Sequence, residues 1–242
     1  MASLIDNFQN PDLHMAIVTE SWMKPGPGLQ QDIRDLEDGQ NLKMIHNSRP
    51  SRRGKTAGGG VAIIYDAGKL RMNQRKILAG KAEIVCATGK LPRAARSLLV
   101  FAVYLPPQTR VPQVRAIMET LSNEISRAKT EMNDPMIIIG GDFILKPHRE
   151  AFQDFPDLVT LQTGPTRGDH VLDLAKTNIA DSTACLRPPL ESDDGTLAIY
   201  VTANAGNEHR FKWKRIKCCT KIKKKKETPP FGNGCGKRAG HK

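Results

Sequence analysis

Eight oxygen-bearing side chains stand at or beside the ends of apolar runs. Glu20 follows Ala16-Ile17-Val18-Thr19, Tyr104 closes the run 98–103, and Asp142 follows Ile137-Ile138-Ile139-Gly140-Gly141. Thr166 and Arg167 precede Val171-Leu172-Asp173, and Ser192, Asp193 and Asp194 precede the apolar run 197–201. Carboxylates gathered at one rim of a sheet suit Mg²⁺, which takes oxygen ligands and keeps several waters. Such an ion polarises a phosphoryl oxygen and stabilises a leaving alkoxide. Each residue also has a plainer reading. A Gly-Asp pair after a strand is ordinary turn chemistry, and an acid at a strand end is often only solvated. The recurrence along the chain favours the chemical reading.

The runs themselves predict the elements that position these groups. Strands are expected over 14–19, 41–46, 61–65, 83–88, 97–104, 136–140, 158–162, 171–174 and 197–202. Residues 136–139 read as a strand buried on both faces. Gly140 and Gly141 are expected to turn the backbone tightly and leave Asp142 at the mouth of the sheet. Val114, Ile117, Met118, Leu121 and Ile125 recur at helical spacing and predict one helix over 111–129. Gly58-Gly59-Gly60 is no phosphate loop, because no Lys-Ser/Thr follows it. Many strands and few helices indicate an α+β fold.

Charge divides the chain. Residues 210–242 hold thirteen Lys/Arg and one acid, Glu227, which accounts for the whole net charge of +12, while residues 1–209 balance 24 bases against 24 acids. The domain is expected to span 1–204, and residues 205–242 are expected to be a basic, disordered tail able to bind nucleic acid. The body carries no general polyanion-binding charge. No stretch approaches the ~20 apolar residues of a membrane span, so no membrane partner is expected. Five scattered cysteines and the absence of a secretion signal point to a reducing compartment, nucleus or cytoplasm. Nothing in the sequence fixes an oligomeric state.

Taken in order, Thr19-Glu20-Ser21-Trp22, Gly58-Gly59-Gly60-Val61-Ala62-Ile63, Val103-Tyr104-Leu105-Pro106-Pro107, Ile139-Gly140-Gly141-Asp142-Phe143, Thr166-Arg167 with Leu172-Asp173-Leu174, and Ser192-Asp193 form a set. That set resembles the endonuclease/exonuclease/phosphatase superfamily. It is most similar to the endonuclease domain of LINE-class, non-LTR retrotransposons. The resemblance implies a four-layer α/β/β/α sandwich, in which two mixed sheets pack face to face between helices. It implies Glu20 as the Mg²⁺ ligand, Asp142 as the group that orients or deprotonates the attacking water, and Tyr104 as a contact to the scissile phosphate. Thr166 and Asp173 would support the site, and Ser192 and Asp193 would lead to a phosphoryl-binding histidine.

Three departures bear on that activity. Position 194 is Asp where the family has His, and an anion there repels phosphate. Position 144 is Ile where the family has Asn. The family's first strand, which carries another site asparagine, has no counterpart, so one strand edge is expected to lie unpaired. The resemblance thus implies a degenerate DNA-nicking phosphodiesterase with little activity. The alternatives are a non-catalytic nucleic-acid binder working through its basic tail and, less favoured, a small-molecule phosphatase.

Overall fold

The computed structural model describes residues 13–21, 41–48, 59–77, 83–90, 94–106, 109–143, 155–161, 164, 165, 169, 171–187, 196–205 and 207–217, as backbone only from residue 185 onward. They form two six-stranded sheets. The first has the order β10-β11-β12-β1-β3-β2, built from β1 (Leu13–Thr19), β2 (Leu42–Asn47), β3 (Val61–Asp66), β10 (Thr183–Arg187), β11 (Thr196–Ala205) and β12 (Asn207–Lys217). The second has the order β4-β5-β6-β7-β9-β8, built from β4 (Arg71–Arg75), β5 (Glu83–Lys90), β6 (Ser97–Tyr104), β7 (Met136–Asp142), β8 (Val159–Leu161) and β9 (Asp173–Thr177). Each sheet is mixed, with one parallel pair: β1 with β12, and β6 with β7.

Strand alternation builds two core layers. Met15, Ile17, Ile63, Val85, Val100, Ala102 and Ile138 pack between the sheets. The intervening residues Phe101, Val103, Ile137 and Ile139 face outward. There they meet Val114, Met118, Leu121 and Ile125 of helix α1 (Val111–Glu131), which connects the parallel pair β6 and β7. Strand β7 is therefore buried on both faces, which is why its sequence is an unbroken apolar run. Pro112 in the first turn and the Gln113 side chain accepting the Arg110 N–H at 3.2 Å start the helix. The α+β sandwich of two mixed sheets agrees with expectation. The helical layer expected over the first sheet falls outside the described residues.

Three expectations need correction. Gly140 and Gly141 do not turn the chain, because β7 runs through them to Asp142. At Gly141 the reason for glycine is close packing: a Cβ there would lie 1.8 Å from the Val103 carbonyl oxygen. Disorder from residue 205 and an unpaired edge beside β1 also fail. Strand β12 lies in that space, antiparallel to β11 and parallel to β1, from Leu13↔Lys212 to Thr19↔Lys217. Its Phe211, Trp213 and Ile216 are strong strand formers. The lysines and arginines between them hid that pattern. Residues 218–242 lie outside the described set.

Candidate active site

One register line crosses the second sheet at the end where β6 and β7 stop. Glu83 pairs with Tyr104, Tyr104 with Asp142, and Asp142 with Asp173. Residues directly opposite on neighbouring strands share a face, and strands lie about 4.8 Å apart, so the row spans roughly 14 Å. Tyr104, with Val85, Ala102, Ile138 and Ala175 two or four positions away along the four strands, belongs to the inter-sheet core. Strand alternation thus turns the row towards the first sheet. All four side chains are buried, at 5%, 4%, 2% and 4% exposure. Backbone bonds fix the row: Leu105 N–H donates to Asp142 O at 2.9 Å, and Phe143 N–H to Leu172 O at 2.8 Å.

The first sheet supplies the opposing wall. Glu20 follows directly on β1 with φ 52°, an uncommon left-handed conformation for a residue other than glycine. Its Oε1 accepts the Tyr104 hydroxyl, which joins the two sheets. Ser21, the next residue, is buried, and its N–H donates to Gly60 O at 3.1 Å. Gly60 N–H in turn donates to Glu83 Oε2 at 2.5 Å. The Ser21 hydroxyl lies 3.0 Å from His46 Nε2, and the Ser48 hydroxyl 3.3 Å from His46 Nδ1. Burial pushes the His46 imidazole down to about 4, so at neutral pH it is uncharged and its single ring N–H serves one serine while the other nitrogen accepts. Asn47 Nδ2 donates to Ile84 O at 3.0 Å, a further bond between the sheets.

Of the residues that the sequence singled out, Glu20, Tyr104, Asp142 and Asp173 meet at this rim. Thr166, Ser192, Asp193, Ile144 and Asp194 lie outside the described residues. Sequence reasoning missed Glu83 and His46 as parts of the rim. Glu83 merely opened a weak strand, and His46 closed one; a lone acid or histidine at a strand end carries no distinguishing signal.

The donor set is compatible with Mg²⁺. Glu20 offers a hard carboxylate at a corner between two sheets, and Mg²⁺ is commonly held by one or two carboxylates, with water completing its shell. Among the described residues, no three His, Cys, Asp or Glu side chains gather closely enough to enclose a metal ion.

No protein-family model and no curated protein matches the chain. Solved structures do. The mannosyl-6-phosphatase from Bacteroides thetaiotaomicron aligns at TM-score 0.60 and 11% identity over 81% of this chain and 88% of that one. An endonuclease/exonuclease/phosphatase family protein from the same organism aligns at 0.56 and 12% over 76% and 73%. D. rerio TDP2, solved with a single-strand DNA product, aligns at 0.51 and 11% over 80% and 86%. At these identities the likeness is one of architecture. The chain has the fold of the endonuclease/exonuclease/phosphatase proteins.

Proposed function

We propose that this chain is a degenerate Mg²⁺-dependent phosphodiesterase of the retrotransposon-endonuclease type, which nicks DNA at most in traces. The observation that carries the reading is the Tyr104–Glu20 bond with Asp142 in register beside Tyr104. It puts a candidate metal ligand, a phenol and a buried carboxylate at one rim. Glu20 would hold Mg²⁺, which when bound supplies charge to polarise the phosphoryl group and stabilise the leaving alkoxide. Asp142 orients the attacking water and takes its proton. Tyr104 fixes Glu20 and meets the scissile phosphate. Asp173, opposite Asp142, supports it; Thr166, Ser192 and Asp193 belong to the same set by resemblance alone. Water attacks phosphorus and gives a proton to Asp142, the P–O3′ bond breaks, and the leaving 3′ oxygen takes its proton from solvent. Asp194, standing where the family has histidine, repels the phosphate, and Ile144 offers no amide. General acid catalysis is worth roughly 10²–10⁴-fold and one electrostatic donor about 10²–10³-fold, so the pair removes most of the rate.

Plasmid relaxation in Mg²⁺ tests the reading. The unmodified chain should match Glu20→Ala or barely exceed it. The combined Ile144→Asn and Asp194→His variant should gain at least ~10²-fold. No gain would sink the mapping; strong Glu20-dependent nicking by the unmodified chain would sink the degeneracy. Turnover of a small phosphoester without nicking would favour a phosphatase.

A second reading rests on residues 218–242, where eight Lys/Arg against Glu227 carry +7 of the net +12. Under it the chain binds nucleic acid without cleaving it, through the basic residues beyond β12. Removing 218–242 should then abolish salt-sensitive DNA binding; unchanged binding excludes it.

A further inference from the structure

Glu83 has no place in the chemistry above, yet it is a buried acid whose carboxylate reaches the opposite sheet. Its Oε2 accepts the Gly60 N–H, the Gly60 carbonyl accepts the Ser21 N–H, and Ser21 is covalently next to Glu20. We propose that Glu83 is a positioning residue for the metal-binding carboxylate: through Gly60 it fixes the corner at residues 19–21 and so aims Glu20. This rests on Glu20 being the Mg²⁺ ligand. Three observations carry it. Glu20 adopts φ 52°, and a non-glycine residue stays there only where its surroundings over-determine the backbone. The corner is packed tightly, since a Cβ on Gly60 would lie 2.7 Å from Ser21 Oγ and 3.2 Å from Asn47 O. Glu83 is also the register partner of Tyr104, which holds the Glu20 carboxylate from its other side. One pair of neighbours on β5 and β6 thus holds both the backbone and the side chain of the same acid. The bond needs only an acceptor at Glu83, not a charge, and this separates a positioning role from a direct electrostatic one.

The test is Mn²⁺ and Mg²⁺ titration calorimetry on the whole chain and on Glu20→Ala, Glu83→Gln, Glu83→Ala and Gly60→Ala, with melting curves alongside. Glu83→Gln keeps an acceptor and should bind metal within about threefold of the unmodified chain. Glu83→Ala should weaken binding 10- to 100-fold, the usual loss when a ligand's supporting partner is removed. Gly60→Ala, which crowds the same corner without removing an acid, should behave like Glu83→Ala, and it stands in should that variant fail to fold. Equal metal affinity in Glu83→Ala and the unmodified chain, with Glu20→Ala losing binding, overturns the proposal while sparing the functional reading. A loss in Glu83→Gln as large as in Glu83→Ala overturns it too, because charge would then be what matters. No binding by the unmodified chain overturns the Mg²⁺ reading and the proposal with it.

Discussion

The Tyr104 hydroxyl donates to the Glu20 carboxylate across the interface between the two sheets, 84 residues apart in sequence. A hydrogen bond to a charged group contributes about 1.5–3 kcal/mol. Tyr104→Phe keeps the ring and removes only the donor. It should cost about that much in urea denaturation; an unchanged midpoint and slope would show that the bond contributes nothing.

Gly141 allows no side chain. The Cβ of an alanine there would meet Val103 backbone atoms at 1.8 and 2.7 Å, and neither strand can yield without breaking the β6–β7 ladder. Gly141→Ala should cost more than about 3 kcal/mol, at the severe end of single substitutions, or give insoluble protein. A melting temperature within two or three degrees of the original, on the order of 1 kcal/mol for a domain of this size, would contradict the geometry.

His46 makes stability depend on pH. Its folded value of about 4 lies below the ordinary 6.5, because burial desolvates the cation. The unfolded chain therefore takes up the proton first as the pH falls. The contribution is fully present above pH 6.5 and is lost towards pH 4. A His46→Asn variant lacks this proton uptake. Its stability deficit against the original chain should shrink between pH 6.5 and 4.5, read as the difference in melting temperature; a constant deficit would place His46 in solvent.

Cys86 should resist alkylation. Burial pushes its thiol up to about 12, with the Glu124 carboxylate adding to the effect, so almost no thiolate exists at pH 8. Iodoacetamide at that pH should leave Cys86 unlabelled until urea is added. Peptide mapping of labelled Cys86 from the folded protein would refute its burial behind α1.

Truncation tests the place of β12 in the first sheet. Ending the chain at residue 206 removes β12, which separates β11 from β1. That variant should fail to melt cooperatively, whereas one ending at 217 should melt like the full chain. Equal melting of the two would return residues 207–217 to the tail.

Legibility in the sequence followed burial. Strand β7 could be read because both its faces are covered, so its sequence is apolar throughout. Helix α1 could be read because only one face is covered, which leaves a helical period. Strand β4, Arg71–Arg75, escaped detection: it is an edge strand with only Met72 fully buried, and its Arg75 instead pairs with Glu124 of α1. Strand β9 was expected at 171–174 and lies at Asp173–Thr177; its last residues include Lys176, a buried charge over the Phe155 ring at 5.8 Å, which a hydropathy pattern reads as exposed. Glu20, Tyr104, Asp142 and Asp173 could be read because each ends or begins such a run. Glu83 could not, since its meaning lies in Gly60, which only folding brings to it.

The parallel pairing of β1 with β12 also sets a schedule for synthesis. Thr19 finds its partner Lys217 only after nearly the whole described chain has been made. A ribosome must release residues 207–217 from its exit tunnel before the first sheet can close. Until then β1 has only β3 beside it, and its free edge is open to other chains. Such long-range pairing folds slowly. The nascent protein is thus most exposed to chaperone capture or aggregation until residues 207–217 have emerged.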